Sequence, residues 1–185
     1  MRVDCKPKQI VVDYCGGSAG KTLAFAPFMH NTGQIYVHDI RKSVLLQAKQ
    51  RLRRAGVQNA QVHADKHKLR ALLKNKVDWI LLDVPCTGTG VMRRNPDSKY
   101  KFTIERLNEL MKIQEMILEE SLHFLKDEKS KIVYSTCSIL PEENIIQVAR
   151  FCERHNFQIE GGEVFQTIPK HRGMDGFFSA TLVPK

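Results

Sequence analysis

The sequence lacks any apolar run near the roughly 20 residues that a membrane span needs. Its opening, Met1-Arg2-Val3-Asp4-Cys5-Lys6, lacks the apolar stretch of a secretory leader. It has no internal repeat and no low-complexity tract. It has no CxxC pair either. The five cysteines, Cys5, Cys15, Cys86, Cys137 and Cys152, are odd in number and scattered. Neither a disulfide framework nor a metal knuckle is favoured, and no metal is expected; a reducing, cytoplasmic setting fits. Acid is scarce: 20 acidic residues stand against 29 basic ones, a net charge of +9. That excess points to an anionic partner, nucleic acid first; with no spanning run, no membrane is expected. A solvated basic surface is the plain alternative.

What is there suits a soluble globular chain read as one domain over 1–185, with 42% hydrophobic and 26% charged residues. The stretch that organises it is Asp83-Val84-Pro85-Cys86-Thr87-Gly88-Thr89-Gly90, which follows the apolar run Trp79-Ile80-Leu81-Leu82. A short, continuous apolar run stopped by Pro and Gly reads as a buried strand of a parallel sheet. A second run, Ile132-Val133-Tyr134, ends in Ser135-Thr136-Cys137-Ser138. Two strand ends therefore each deliver one thiol. Ligands of open α/β sheets sit outside such carboxyl ends.

Upstream, Ile10-Val11-Val12 leads through Asp13 into the turn Cys15-Gly16-Gly17-Ser18-Ala19-Gly20-Lys21-Thr22, followed by a helix from Leu23 to Met29. Strand, glycine turn, helix exposes backbone N–H groups to a phosphate or a carboxylate. Gly20-Lys21-Thr22 resembles the end of a phosphate-binding P-loop. The first glycine of that motif would fall at position 15, which is Cys15. Two further strands end in acids, Gln34 to Asp39 and Ala60 to Asp65. Asp39 lies where nucleotide-binding folds place a carboxylate on ribose hydroxyls, but an N-cap would put Asp there too. Helices are expected over Lys42–Ala55 and Lys68–Leu73. Acids closing three successive strands, at Asp39, Asp65 and Asp83, give the rhythm of a doubly wound, mostly parallel sheet with helices on both faces.

After the organising stretch, residues 92–101 form a basic, turn-rich segment with Arg93, Arg94, Lys99 and Tyr100. It suits an RNA strand or an ordinary surface loop equally. A long amphipathic helix is expected from Thr103 to Leu125, its Leu and Met stripe being core. Another should start at Pro141 and run to His155. The tail reads as β segments, Phe157–Glu160 and Phe177–Val183.

These motifs together resemble the Sun/Fmu-type (Nol/Nop/Sun) RNA 5-methylcytosine methyltransferases. The resemblance rests on Asp83 to Gly90, on Arg93-Arg94-Asn95-Pro96-Asp97, on Tyr134 to Ser138 with Pro141-Glu142-Glu143-Asn144, and on Asp175 to Ala180. It implies a Rossmann-like fold using S-adenosyl-L-methionine, and methylation of carbon 5 of cytosine, in ribosomal RNA ahead of transfer RNA. It implies that Cys15 to Lys21 hold the methionine end of the cofactor, Asp39 the ribose and Asp65 the adenine edge. Asp83 would face cofactor and base, Cys137 would attack the base, and Cys86 would assist release. The glycine turn departs from the family's Ala-Ala-Pro-Gly-Gly. Almost nothing precedes it here, whereas the family usually has an RNA-binding region there; the expectation is a catalytic domain whose targeting comes from a missing region or a partner chain.

Two rivals are weighed against that reading. A methyltransferase-fold subunit with weak or no activity would bind RNA without turnover. An exocyclic amino methyltransferase would keep Asp83-Val84-Pro85 but leave Cys137 without a job.

Overall fold

The computed structural model describes residues 3–185. In chain order its elements are β1 (Ile10–Asp13), α1 (Gly20–Phe25), β2 (Gln34–His38), α2 (Lys42–Arg54), β3 (Ala60–His63), α3 (Lys66–Leu73) and β4 (Trp79–Asp83). There follow α4 (Ser98–Lys101), α5 (Ile104–Ser121), β5 (Lys131–Thr136), α6 (Ile145–His155), β6 (Phe157–Ile159), β7 (Phe165–Thr167) and β8 (Phe177–Pro184). The strand order is β3-β2-β1-β4-β5-β8-β6, with β7 also on β8. Strands β3, β2, β1 and β4 run parallel, whereas β6 and β7 pair antiparallel with β8. This is the doubly wound α/β sheet expected from the strand rhythm.

The chain divides into two compact units. The first holds the residues up to Asp83 together with Ser121–Val133. Successive side chains of a strand face opposite ways. Val11, Ile35, Val37, Trp79 and Leu81 join one core with Leu45, Ala48 and Leu52 of α2, and with Phe25 and Met29. Ile80 and Leu82 face the other way and are also fully buried. Both faces of β4 are therefore covered, which is why its sequence is continuously apolar rather than alternating. Leu45, Ala48 and Leu52 are the buried stripe of α2, and Val44 beside them stays partly exposed.

The second unit holds Val84–Glu120 and Tyr134–Lys185. The helix expected to reach Leu125 stops at Ser121. The reason lies in the first unit. The carbonyls of His123 and Phe124 are taken by the N–H groups of Asn75 and Val77, at 3.1 and 2.9 Å, and Leu125 bridges Val77. A chain drawn into that parallel bridge is extended at Leu125 and cannot be helical there. The α-helix expected at Pro141 begins instead at Ile145, after a 3₁₀ turn over Pro141–Glu143. Residues 98–101, read as loop, form the short helix α4, and β7 was not expected at all.

Candidate functional site

The glycine turn is set by sterics. Gly16 donates its N–H to the His38 carbonyl at 2.8 Å. A Cβ there would lie 2.5 Å from Val37 Cγ1, so only glycine lets the turn sit this close to β2. Gly17 (φ +52°) and Ala19 (φ +62°) both take left-handed backbone. Arg51 reaches from α2 to donate to the Ser18 carbonyl at 2.9 Å and to its hydroxyl at 2.6 Å. The turn is thus held from behind by the Arg51 guanidinium.

Asp39 closes over that turn. Its Oδ2 accepts from the Gly17 N–H at 3.0 Å. The Arg41 backbone N–H and guanidinium donate to both of its oxygens at 2.8–2.9 Å. Burial alone would raise its pKa, but the Arg41 and Gly17 donors outweigh it and hold the carboxyl below its ordinary value. Asp39 is therefore not the N-cap of α2. Asp65 is a cap: its Oδ1 accepts from the N–H groups of His67 and Lys68 at 2.9 and 3.1 Å, starting α3 two residues earlier than expected. Lys21 forms an ion pair with Asp83 at the end of β4. Its ammonium, which a P-loop lysine would offer to phosphate, is engaged within the protein.

Asp13 was passed over as a mere strand end. It is 1% exposed and accepts from the Thr22 hydroxyl at 2.6 Å, while its Oδ1 has no partner. Burial pushes its carboxyl up to about 7, with the Thr22 hydroxyl opposing. The only sequence signal was its place at the mouth of the glycine turn. A glycine turn packed close on β2, an acid that takes the Gly17 N–H and a buried acid with one unpartnered oxygen at the end of β1 make a cradle suited to a polar cofactor with amine and hydroxyl donors.

In the second unit the two thiols meet. Cys86 Sγ lies 3.2 Å from Cys137 Sγ; both are half-buried and neither is in a disulfide. The hydrogen bond to Cys137, then burial, then the Cys137 charge and after it the Glu143 charge push the Cys86 thiol well above its ordinary range, against a backbone donor at Gly88. The turns that carry them are tied by backbone: Gly90 donates to the Cys137 carbonyl at 2.9 Å, and Gly176 to the Gly90 carbonyl at 2.8 Å. A Cβ on Gly90 would lie 2.4 Å from the Gly176 carbonyl oxygen. Around them runs a buried polar network that the sequence reading did not assign, made by Glu143, Asn144, Gln114 and Gln147. Its signal was Pro141-Glu142-Glu143-Asn144, quoted as motif and left without a role.

The expected RNA-facing residues divide. Arg93 is spent within the protein, on Asp175 and on the carbonyls of Lys170 and Gly173. Arg94 also pairs with Asp175 but leaves its side chain 73% exposed. Lys99 lies over the ring of the exposed Tyr100, 6.0 Å from its centroid.

A family model described as 16S rRNA methyltransferase RsmB/F matches residues 1–183. Ribosomal RNA small subunit methyltransferase B of Photorhabdus laumondii is 35% identical over 185 residues, covering 95% of this chain and 42% of that protein. The chain thus spans less than half the length of that relative. Among solved structures, NSun6 of Pyrococcus horikoshii, crystallised with the S-adenosylmethionine analogue SFG, is 27% identical with a TM-score of 0.82. The match covers 97% of this chain and 49% of that one. A methyltransferase homologue from the same organism is 27% identical with a TM-score of 0.84, over 99% of this chain and 64% of that one. Together they make this the Rossmann-like fold whose cofactor is S-adenosyl-L-methionine.

Proposed function

The chain belongs to the 16S rRNA methyltransferase RsmB/F family, and on that premise we propose that it methylates carbon 5 of a cytosine in ribosomal RNA through a covalent cysteine adduct. The observation that carries this reading is the 3.2 Å approach of Cys86 and Cys137 at two strand ends. Carbon 5 of cytosine is too poor a nucleophile to take a methyl group unaided. A thiolate adding to carbon 6 breaks the 5,6 double bond and places the electron pair on carbon 5. Cys137 makes that bond. Once carbon 5 carries the methyl group, solvent water takes its proton, the C–H electron pair re-forms the 5,6 double bond, and the carbon 6–sulfur bond breaks with its pair on the Cys137 sulfur; Cys86 assists by offering that sulfur a proton. An exocyclic amino methylation would need neither thiol.

When bound, S-adenosyl-L-methionine supplies an electrophilic methyl group. The Cys15–Lys21 turn with Gly16, Gly17, Ser18, Ala19 and Gly20 holds its methionine end. Asp39 accepts its ribose hydroxyls once Arg41 turns aside. Asp65 lies at the adenine edge, with one oxygen committed to capping α3. Asp83, held by Lys21, faces cofactor and base. Arg94 and Lys99 meet RNA phosphate; Arg93 shapes the loop that presents them. The setting is the cytoplasm, and ribosomal RNA is the partner.

The test is adduct trapping with ribosomal RNA. Cys137→Ala should abolish methylation and any covalent complex. Cys86→Ala should accumulate a protein–RNA complex that survives denaturing electrophoresis, and the double variant should not. Accumulation in Cys137→Ala instead would assign the attack to Cys86. Turnover by both single variants would remove the covalent mechanism.

A further inference from the structure

Two adjacent residues grip the two thiol-bearing turns in the same way, and only one of them is charged. Glu143 is fully buried. Its Oε1 accepts from the Thr87 N–H at 2.9 Å and its Oε2 from the Thr87 hydroxyl at 2.5 Å, so it holds the residue after Cys86. Gln114 donates to Glu143 Oε1 at 2.9 Å and to the Pro85 carbonyl at 3.0 Å, which holds the residue before Cys86. Gln147 fixes Gln114 in turn, donating to its Oε1 at 3.3 Å and to the Met111 carbonyl at 2.6 Å.

Asn144 does the same for Cys137. Its Oδ1 accepts from the Thr136 hydroxyl at 2.5 Å, and its Nδ2 donates to the Ser138 carbonyl at 2.9 Å. Each cysteine is thus held on both sides, Cys137 by Asn144 alone and Cys86 by Glu143 together with Gln114. Glu143 receives three donors, as suits an acceptor-only carboxylate. Asn144 gives and receives, as suits a neutral amide.

We propose that Glu143 is a positioning residue that makes Cys86 the thiol that keeps its proton, leaving Cys137, clamped by a neutral amide, as the one that ionises and attacks. A negative charge within the Cys86 clamp disfavours a second negative charge on that sulfur. The titratable groups that act on Cys86 are Cys137 and Glu143; the Gly88 N–H opposes them. The hydrogen bond between the sulfurs then has a direction, Cys86 donating to the Cys137 thiolate. That also leaves Cys86 holding a proton to give to the Cys137 sulfur as the base departs. The inference deepens the proposed two-thiol mechanism and rests on it for its catalytic meaning, but thiol ionisation is readable without turnover.

The experiment is alkylation of the full chain by iodoacetamide across pH, with Cys86 and Cys137 quantified separately by peptide mass spectrometry. The wild type should alkylate Cys137 at lower pH than Cys86. Glu143→Gln keeps an acceptor for the Thr87 N–H and removes the charge. It should move the Cys86 profile down by about half a pH unit or more, roughly a threefold faster reaction on the rising limb. The Cys137 profile should move less. Asn144→Asp, which adds a charge to the other clamp, should move Cys137 the opposite way. A merely structural role for Glu143 would lower the melting temperature and speed both thiols equally at every pH. That result, or a Cys86 profile overlaying the wild type in Glu143→Gln, overturns the proposal. Shifted profiles in a protein that yields no 5-methylcytosine would uphold the clamp and remove the proposed reaction instead.

Discussion

At the scale of single residues, the acids of the first unit divide by environment. Asp13 and Asp39 end or follow neighbouring strands, yet one carboxyl is pushed up and the other held down. A raised carboxyl binds its proton more tightly in the folded state. Asp13 therefore costs the folded state nothing below its ordinary value of 3.8, and its penalty grows as pH rises toward about 7. Asp39 works in the opposite sense. Its stabilisation is present above 3.8 and is lost as pH falls through its lower folded value. The two windows do not overlap. Asp13→Asn should flatten the loss of stability between pH 4 and pH 7, measured by urea unfolding at both ends of that range. An unchanged slope would place the charge cost elsewhere. Asp39→Ala should weaken S-adenosyl-L-methionine binding by about 1–3 kcal/mol, read by calorimetry, because a hydroxyl pair would lose its buried acceptor. Both acids were visible in the sequence as strand ends. Nothing in the sequence distinguished the buried orphan from the arginine-bound one, because that difference comes from the complete burial of Asp13 and the Arg41 and Gly17 donors at Asp39, which only folding brings to bear.

At the scale of elements, the apolar runs and the glycine turn located β1, β2, β3, β4 and β5 closely, since a strand buried on both faces leaves little else to read. What could not be read was where helices stop. The end of α5 is decided by the pairing of residues 123–125 with Asn75 and Val77, which draws the chain into an extended bridge and which no local pattern near Ser121 reports. The three-residue β7 exists only because β8 offers it an edge, Phe165 lying opposite Ser179. The thiol turns carry a testable constraint of this kind. At Gly16 the obstacle to a Cβ is a valine side chain, but at Gly90 it is backbone on two sides, with the Cys137 carbonyl oxygen at 2.7 Å as well. A side chain can turn away and a backbone tied by hydrogen bonds cannot. Gly90→Ala should destabilise more than Gly16→Ala, by upward of about 1–3 kcal/mol for overpacking, and it should separate the two sulfurs. Thermal melts of both variants, with the trapping assay on Gly90→Ala, would check the order.

At the scale of the whole molecule, the charge of +9 and the family's ribosomal substrate point the same way. Binding to ribosomal RNA should weaken steeply as salt rises, because each neutralised phosphate releases counterions. Arg94→Ala should flatten that dependence by about one unit or less in a log–log plot. Arg93→Ala should instead lower the melting temperature, since its guanidinium holds Lys170, Gly173 and Asp175. Filter binding at several salt concentrations separates the two arginines, which the sequence presented as equivalent neighbours. The division of the chain has a further consequence, for the order of events during synthesis. The path passes from one unit to the other after Asp83, after Glu120 and after Val133. A nascent chain that has emerged as far as Asp83 still lacks Ser121–Val133, the stretch whose His123 and Phe124 carbonyls receive the Asn75 and Val77 N–H groups. The first unit therefore cannot close until the ribosome has released residue 133, by which time much of the second has also been translated. Nascent chains stalled at Asp83 should be digested readily by protease, and chains stalled with Val133 clear of the exit tunnel should begin to resist.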